Sequence, residues 1–266
     1  MSKQTGLLRM KGKIGGVSFY KSGGVDLARV ANGPSKERIT KDPNFVRTRE
    51  NNSEFGGCAT VVKALRLAIC EAKISKADAG MAIQRLMPII KRVNLNGTGA
   101  RGQRSIDLVA NAVLLEHFEF NERDSFASIF NAPYTITTAV GRNSAGVNVP
   151  AFLPSSFVSA PAGATHFELF SILCTLSDYN YDPTTGHYSA TDATLDMLNG
   201  EDTGAITDLS TTTPVSFSLA PALPGSPTMT ATVAAILLVG VEFYQRIGTI
   251  DYLLSQGDCL RIAKVF

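Results

Sequence analysis

The spacing of apolar residues changes near residue 120, and this change constrains the fold more than any other feature of the chain. Before it, apolar residues recur at helical spacing in three stretches. After it, short β-prone runs alternate with turn clusters as far as the C-terminus. This succession predicts an α+β protein, with a helical region at 47–120 and β-structure at 121–266.

Six runs in the second half predict strands, and turn clusters such as YDPTTGHYS and ALPGSPT separate them. The runs are YTITTAV, GVNVPAF, THFELFSILCTL, PVSFSLAPAL, TATVAAILLVGVEFYQ and CLRIAKVF. Short strands with frequent turns are typical of an antiparallel β-sandwich or barrel. We therefore expect residues 121–266 to form a β-sandwich domain.

The helical region predicts about three helices, at 47–73, 75–93 and 105–117. The second contains Pro88, which is expected to kink or restart it. The predicted apolar stripe of the first helix is Phe55, Ala59, Val62, Arg66 and Ile69, widened by Leu65.

The chain opens with a basic segment that is punctuated by glycines. Its runs GVSFYKS and VDLARVA flank Gly23 and Gly24, and paired glycines can take the positive φ values of a tight hairpin turn. Pro34 and Pro43 then bias the residues before them away from helix. Residues 1–46 are thus predicted to be a basic hairpin arm followed by an extended connector.

Charge is distributed unevenly along the chain, although the net charge is only +2. Residues 1–124 carry 21 Lys and Arg against 12 Asp and Glu, which gives +9. Residues 125–266 carry 4 against 11, which gives −7. This asymmetry indicates an acidic partner for the front half or a front-to-back contact between copies.

Three interpretations of the arm follow from its composition. Its cations would contact the phosphates of a nucleic acid, or would simply solvate an exposed hairpin. In the third interpretation, the arm lies across the acidic β domain of a neighbouring copy and the hairpin extends an open sheet edge. The residues expected to make the contacts are the cations Lys21, Arg29, Arg38, Arg47 and Arg49, with Phe19 and Tyr20 as apolar anchors.

We recognise no catalytic or cofactor-binding motif in the sequence. None of the three histidines, His117, His166 and His187, has a nucleophile at motif spacing. The segment GTGARG is similar to a phosphate-binding loop, but it lacks the G-K-[ST] ending and does not follow a predicted strand. We expect a helix-linking turn there, and we expect no catalytic residue and no cofactor.

Metal binding and disulfides are not predicted either. Asp178 and Asp182 lack the spacing of a calcium loop, so the segment around them is expected to be an Asx-stabilised turn. The four cysteines, Cys58, Cys70, Cys174 and Cys259, lie far apart and form no C-x-x-C pair. They are expected to be reduced, partly buried thiols.

The N-terminal residues MSKQTGLLRMKGK contain no apolar segment of the kind found in secretory signals. The most apolar run, ATVAAILLVGV, is too short to span a bilayer as a helix. We expect the protein to be made in the cytoplasm, with a phage-like particle or a filament as one destination.

Two resemblances to known proteins bear on function. GKIGGVSFYKSGGVDLAR, GPSKERI, DPNFVRTRENNSEFG, ARGQRSID and APAGATHFEL resemble a family of Bacteroidota proteins that has no assigned activity. This resemblance covers about residues 1–175 and implies no catalytic residues. A hairpin, an Arg/Pro connector and the Arg-led helix RTRENNSEF, at about 12–60, are similar to small phage and prophage structural proteins. The second resemblance implies a structural role in many copies.

Together these features predict a non-enzymatic structural protein that assembles with itself into a filament, a tube or a virion-like particle. The basic arm would dock head-to-tail on the acidic β domain of a neighbour, and such a contact builds rings or open filaments. The alternative is a nucleic-acid-associated protein that binds phosphates through the same arm.

Overall fold

A computed structural model of the chain describes residues 2–5, 9–30, 33–69, 81–121, 123–254 and 256–266. The chain divides into two units, residues 1–49 and 50–266, which we call the N-terminal and C-terminal units. The described residues form fifteen strands and five α-helices, and every pairing between these strands is antiparallel. The predicted α+β class is confirmed.

The N-terminal unit is built on a four-stranded sheet. Its strands are β1 (Ser2–Lys3), β2 (Gly12–Ile14), β3 (Val17–Ser22) and β4 (Val25–Val30), in the order β1-β4-β3-β2. The predicted hairpin is confirmed, because Ser22 pairs with Val25 across a two-residue turn. Gly23 and Gly24 take φ values of 56° and 81° in that turn, which a residue with a Cβ adopts only at a cost.

The predicted extended connector is wrong, since helix α1 (Lys36–Lys41) and a 3-10 turn (Pro43–Phe45) occupy it. Ser35 starts α1, because its hydroxyl accepts a hydrogen bond from the Arg38 N–H at 3.2 Å. Asp42 ends α1 in an extended conformation, as expected for a residue that precedes proline. Pro43 thus favours an extended residue before it, but Ser35, which lies between the two prolines, caps a helix.

Helix α2 (Val46–Ile69) is the predicted first helix, and Val62, Leu65 and Ile69 of the predicted stripe are buried. The N-terminal part of the stripe is displaced by about one residue. Phe55 is 55% exposed and Ala59 is exposed. The predicted and the observed stripe both repeat at steps of three and four residues, so the periodicity of the sequence does not distinguish them. Residues 70–73 of this prediction lie outside the described residues. The buried residues include Glu54, Cys58, Val61, Leu65 and Ala68.

The second predicted helix corresponds to α3 (Met81–Asn96), and residues 75–80 lie outside the described residues. The helix continues through Pro88 without a restart. Pro88 and Gln84 are both exposed, so the carbonyl that loses its N–H partner at Pro88 can bind water instead.

The predicted third helix is wrong. Between residues 105 and 117 the chain forms turns and one 3-10 turn, Ala112–Leu114. The reason is that its backbone pairs elsewhere: Ile106 and Tyr179 exchange N–H to carbonyl hydrogen bonds of 2.8 and 3.1 Å. The His117 N–H donates to the carbonyl of Ile262 at 2.8 Å. These long-range bonds outweigh the local helical pattern.

The C-terminal unit contains a six-stranded sheet around two long strands, β7 (His166–Ser177) and β13 (Val233–Ile247). They pair over twelve residues, from Val233 opposite Ser177 to Tyr244 opposite His166. The other members are β10 (Asn199–Thr203) and β11 (Thr207–Asp208), which pair with β7, and β14 (Ile250–Leu253) and β15 (Cys259–Val265), which pair with β13.

All six predicted strands are present, but they are divided among separate sheets. Strands β5 (Thr135–Thr138), β6 (Ala145–Phe152) and β12 (Val215–Leu219) form a three-stranded sheet in the order β12-β6-β5.

The hairpin of β8 (Tyr179–Asp182) and β9 (His187–Ala190) lies where the sequence predicted only a turn. Helices α4 (Phe126–Ile129) and α5 (Pro154–Phe157) are single turns. The strand pairing does not by itself establish the predicted sandwich.

The core of the C-terminal unit consists of two buried clusters on opposite faces of β7 and β13. On one face, even-numbered residues such as Ile172 join Leu65 of α2 and Leu86 of α3. On the other, odd-numbered residues such as Leu173 join Phe217 of β12. Strands that are buried on both faces read as continuous apolar runs rather than as alternating ones. Helices α2 and α3 and the strands after residue 134 therefore share one core.

The division between the units falls after residue 49, whereas the sequence places a boundary near residue 120. Among the described residues, no helix is long and apolar enough to cross a membrane.

Candidate functional site: a two-faced sheet and a cationic cleft

The sheet of the N-terminal unit has one apolar face. Strand register places Ile14 beside Val17, Val17 beside Val30, and Phe19 beside Ala28, all on the same side. We call these five residues the apolar face. Ile14 is 58% exposed and Val30 is 64% exposed, although aliphatic side chains of this size are usually found in a core.

The opposite side of the same sheet is cationic. Lys3 lies beside Leu27, Leu27 beside Tyr20, Lys13 beside Ser18, and Ser18 beside Arg29. The Arg29 guanidinium lies 5.4 Å from the centre of the Tyr20 ring, a cation–π contact. We call Lys3, Lys13, Tyr20 and Arg29 the cationic face. One thin sheet thus separates an apolar surface from a basic one.

None of the described residues between 2 and 49 is buried. The described strands and the helix α1 therefore contribute no buried side chain to a core. A sheet with one exposed apolar face gains stability when another surface covers that face.

The seven contact residues predicted from the sequence lie on several surfaces. Phe19 belongs to the apolar face, and Lys21 lies on the same side, opposite Asp26. Tyr20 and Arg29 belong to the cationic face. The proposed apolar anchors Phe19 and Tyr20 therefore point to opposite sides of the sheet, as neighbouring residues in a strand must.

The remaining predicted cations lie beyond the sheet, and two of them have partners inside the connector. The Arg38 guanidinium forms an ion pair with Asp42 at 3.2 Å. Arg49 donates hydrogen bonds to the carbonyls of Ile39 and Asp42 at 2.8 and 3.0 Å. Arg47 lies in the first turn of α2. The structure thus gives Arg38 and Arg49 a local role in holding α1 against the turn that follows it.

A second cluster of charge lies within the C-terminal unit and is centred on Glu54 of α2, whose side chain is buried. Its Oε1 accepts hydrogen bonds from the Gly102 N–H and the Arg104 Nε–H, each at 2.8 Å. Its Oε2 accepts from Lys91 Nζ at 2.5 Å and from Arg104 Nη2 at 3.1 Å. One carboxylate therefore ties α2 to α3 and to the loop after it.

Two opposing effects act on the pKa of Glu54. Burial disfavours the charged carboxylate and would raise its pKa. The hydrogen bonds from Arg104, Lys91 and the Gly102 N–H favour the charged form, and together they prevail and lower the pKa to about 2. Glu54 is therefore ionised at neutral pH and holds two cations in fixed positions.

An open cleft of about 520 Å³ lies beside this cluster. Its lining includes the cations Lys91, Arg101 and Arg104, the carboxylate of Glu54 and the amide of Asn51. Arg101 is the most exposed of the three cations, with a side chain that is 48% accessible. The cleft was not predicted from the sequence, because the predicted apolar stripe of α2 does not include Glu54 and the glycine-rich segment was expected to be only a turn. The burial of Glu54, which requires cationic partners, becomes visible only in the structure.

Two of the histidines make hydrogen-bond contacts, and three of the cysteines are buried. His166 Nδ1 lies 2.9 Å from the Thr165 hydroxyl, and His117 Nδ1 lies 2.6 Å from Arg261 Nη2. Cys58, Cys174 and Cys259 are buried free thiols, and burial raises the pKa of Cys58 to about 11. Cys70 lies outside the described residues.

The two aspartates weighed as calcium ligands serve separate turns. Asp182 accepts from the Thr184 N–H at 2.8 Å and from the Thr185 hydroxyl at 3.0 Å, so the predicted Asx turn is confirmed. Asp178 accepts from the Val109 N–H at 3.1 Å. In the described residues, no group of three or more His, Cys, Asp or Glu is placed to hold a metal ion.

Comparisons with protein-family models, with curated proteins and with solved structures found no significant match.

Proposed function

We propose that this chain is a non-enzymatic structural protein whose copies assemble through the N-terminal unit. The unit of one copy docks its apolar face on the C-terminal unit of the next. The observation that carries the proposal is the absence of any buried residue among the described residues 2–49, beside an apolar face of five side chains.

The energetic argument concerns the apolar face. Fully burying one aliphatic or aromatic side chain is worth about 1.5–3 kcal/mol. Ile14 and Val30, the most exposed residues of the face, would contribute most to a contact that covers it, and Val17 and Phe19, which are already half-buried, would contribute less. A partner surface that covers this face would thereby stabilise the unit.

Charge favours another copy of this chain as the partner. The N-terminal unit carries 11 Lys and Arg against 3 Asp and Glu, a net charge of +8, so residues 50–266 carry +2 − 8 = −6. Opposite net charges speed the encounter between the N-terminal unit of one copy and the C-terminal unit of another. The two surfaces differ, so the contact is heterologous and propagates into a ring or a filament.

A matched pair of substitutions in β4 tests the role of the apolar face. Val30 lies on the apolar face and is 64% exposed, whereas Val25 lies on the other side of the same strand and is 38% exposed. Val30→Ser should weaken assembly about tenfold, since it removes roughly one buried side chain from the contact. Val25→Ser should leave assembly unchanged.

Light scattering after size-exclusion chromatography measures the effect over a dilution series. If the two variants weaken assembly equally, or neither does, the apolar face is not the contact. Adding Ile14→Ser to Val30→Ser should give a monomer, because both of the most exposed residues of the face are then polar.

The cationic face favours a second function, binding to nucleic acid. Lys3, Lys13 and Arg29 lie on one side with the aromatic ring of Tyr20, a combination suited to phosphates and bases. A mobility-shift titration at low and high salt distinguishes this function. Binding that falls steeply with salt and is lost in Lys13→Glu/Arg29→Glu supports it, and no shift at low salt refutes it.

A further inference from the structure

The cleft beside Glu54 lies in the C-terminal unit and is independent of the assembly described above. Its lining carries three cations, Lys91, Arg101 and Arg104, and one carboxylate, Glu54. Arg101 also forms an ion pair with Glu50 at 3.4 Å, so the charges around the cleft sum to +3 − 2 = +1. A concave site with a net positive charge and several cationic donors attracts an anion.

Glu54 does not compete for such an anion. Both of its oxygens are already occupied by donors, at distances between 2.5 and 3.1 Å. Its effect is to fix the positions of Lys91 and Arg104 before any ligand arrives. Preorganised donors bind more tightly than mobile ones, because less conformational entropy is lost on binding.

The loop that carries Arg101 and Arg104 is fixed as well. The Ser53 hydroxyl donates to the carbonyl of Gly102 at 2.7 Å, and the Gly102 N–H is bound to Glu54. Gly102 has a φ of +92°, and a Cβ there would lie 3.0 Å from atoms of Glu50. This position therefore requires glycine, for conformation and for space.

We infer that the cleft binds a small solute bearing phosphate groups. The guanidinium of Arg101 would contact the phosphate from the open side, and Lys91 and Arg104 from below. Guanidinium and ammonium groups are the usual ligands of phosphate oxygens, and their hydrogen bonds to it are charge-assisted. A volume of about 520 Å³ accommodates a pyrophosphate with room for a further group.

The test is calorimetric titration of the full chain with inorganic pyrophosphate at low ionic strength. The key variant is Arg101→Ala, since Arg101 is half exposed and its removal should not prevent folding. We expect Arg101→Ala to weaken the affinity about tenfold or more, the loss typical of one charge-assisted contact. Arg104→Lys should also weaken binding, because a lysine ammonium cannot reproduce the two hydrogen bonds to Glu54 and at the same time contact the ligand as a guanidinium does.

Two control variants distinguish binding in the cleft from non-specific attraction by surface cations. Arg92 is exposed on α3 next to Lys91 but does not line the cleft, and Arg29 lies on the cationic face of the other unit. Arg92→Ala and Arg29→Ala should bind pyrophosphate as the wild type does. A loss in either control equal to that of Arg101→Ala would overturn the proposal, and so would unchanged binding in Arg101→Ala.

A second titration, with a short single-stranded oligonucleotide, distinguishes a small phosphorylated solute from a nucleic acid as the ligand. Competition between pyrophosphate and the oligonucleotide for a site sensitive to Arg101 would show that the cleft also accepts backbone phosphates. Binding of the oligonucleotide without any binding of pyrophosphate would contradict a site for small solutes. The proposal is also contradicted if pyrophosphate raises the melting temperature no more than sodium chloride does at matched ionic strength.

Discussion

At the scale of single residues, Glu54 is the side chain that holds the buried ion cluster together. It is buried, and it accepts hydrogen bonds from two cations and a backbone N–H. Removing the charge of a buried ion cluster leaves its cations uncompensated, which typically costs about 3–5 kcal/mol. Glu54→Gln should therefore lower the free energy of unfolding by ~3 kcal/mol at neutral pH.

The same residue predicts how stability depends on pH. The pKa of Glu54 is about 2 in the folded protein against an ordinary value of 4.5, so the unfolded chain takes up the proton first as pH falls. Its stabilisation is complete above about pH 4.5 and is lost as the pH falls towards about 2. Urea unfolding at about pH 7 and about pH 3 should show a smaller difference in Glu54→Gln than in the wild type.

Glu37→Gln provides the matched control for this experiment. Glu37 forms an ion pair with Lys41 at 2.9 Å, but both side chains are 75% exposed. Exposed pairs contribute little, so the variant should melt as the wild type does. Equal stability of Glu54→Gln and Glu37→Gln would contradict the role assigned to the buried cluster.

At the scale of elements, two adjacent glycines in α2 have opposite roles. A Cβ at Gly57 would lie 2.4 Å from the ring of Tyr188 in β9, whereas a Cβ at Gly56 would meet nothing within 4 Å. Gly57→Ala should destabilise the protein by about 1–3 kcal/mol through overpacking. Gly56→Ala should stabilise it by about 0.5–1 kcal/mol, because alanine is the better helix former.

Chemical unfolding of both variants measures the contrast directly. Their effects should have opposite signs, although the substitutions are identical and one residue apart. A stabilised Gly57→Ala variant would show that the hairpin of β8 and β9 does not press on α2 in solution.

Individual elements also show how far the sequence predicts the fold. The hairpin of β3 and β4 is confirmed because its turn depends on two glycines that are local in sequence. The third helix fails because Ile106 pairs with Tyr179, a residue far along the chain. Local signals predict an element well when its hydrogen bonds are local, and poorly when distant backbone groups compete for them.

The features of the candidate site also differ in how far the sequence predicts them. The basic hairpin could be predicted, since charge and glycine content are properties of the sequence. Its two faces could not, because they depend on the register that places Val17 beside Val30. The cleft could not be predicted either, as Glu54, Lys91 and Arg104 meet only when α2, α3 and the following loop pack together.

At the scale of the whole molecule, the two units differ in the origin of their stability. The C-terminal unit contains both buried clusters, and the N-terminal unit contains no buried residue among those described. A chain that lacks residues 1–45 should therefore remain folded and should melt close to the full chain. Its circular dichroism and melting curve establish this before its assembly is compared with that of the full chain.

Sedimentation velocity of the full chain and of this truncated chain, at equal micromolar concentration and moderate salt, then tests self-assembly most directly. We expect the full chain to sediment as species of several copies that dissociate on dilution, and the folded truncated chain to sediment as a monomer. A full chain that is strictly monomeric under these conditions, or a truncated chain that assembles as the full chain does, would contradict assembly through the N-terminal unit.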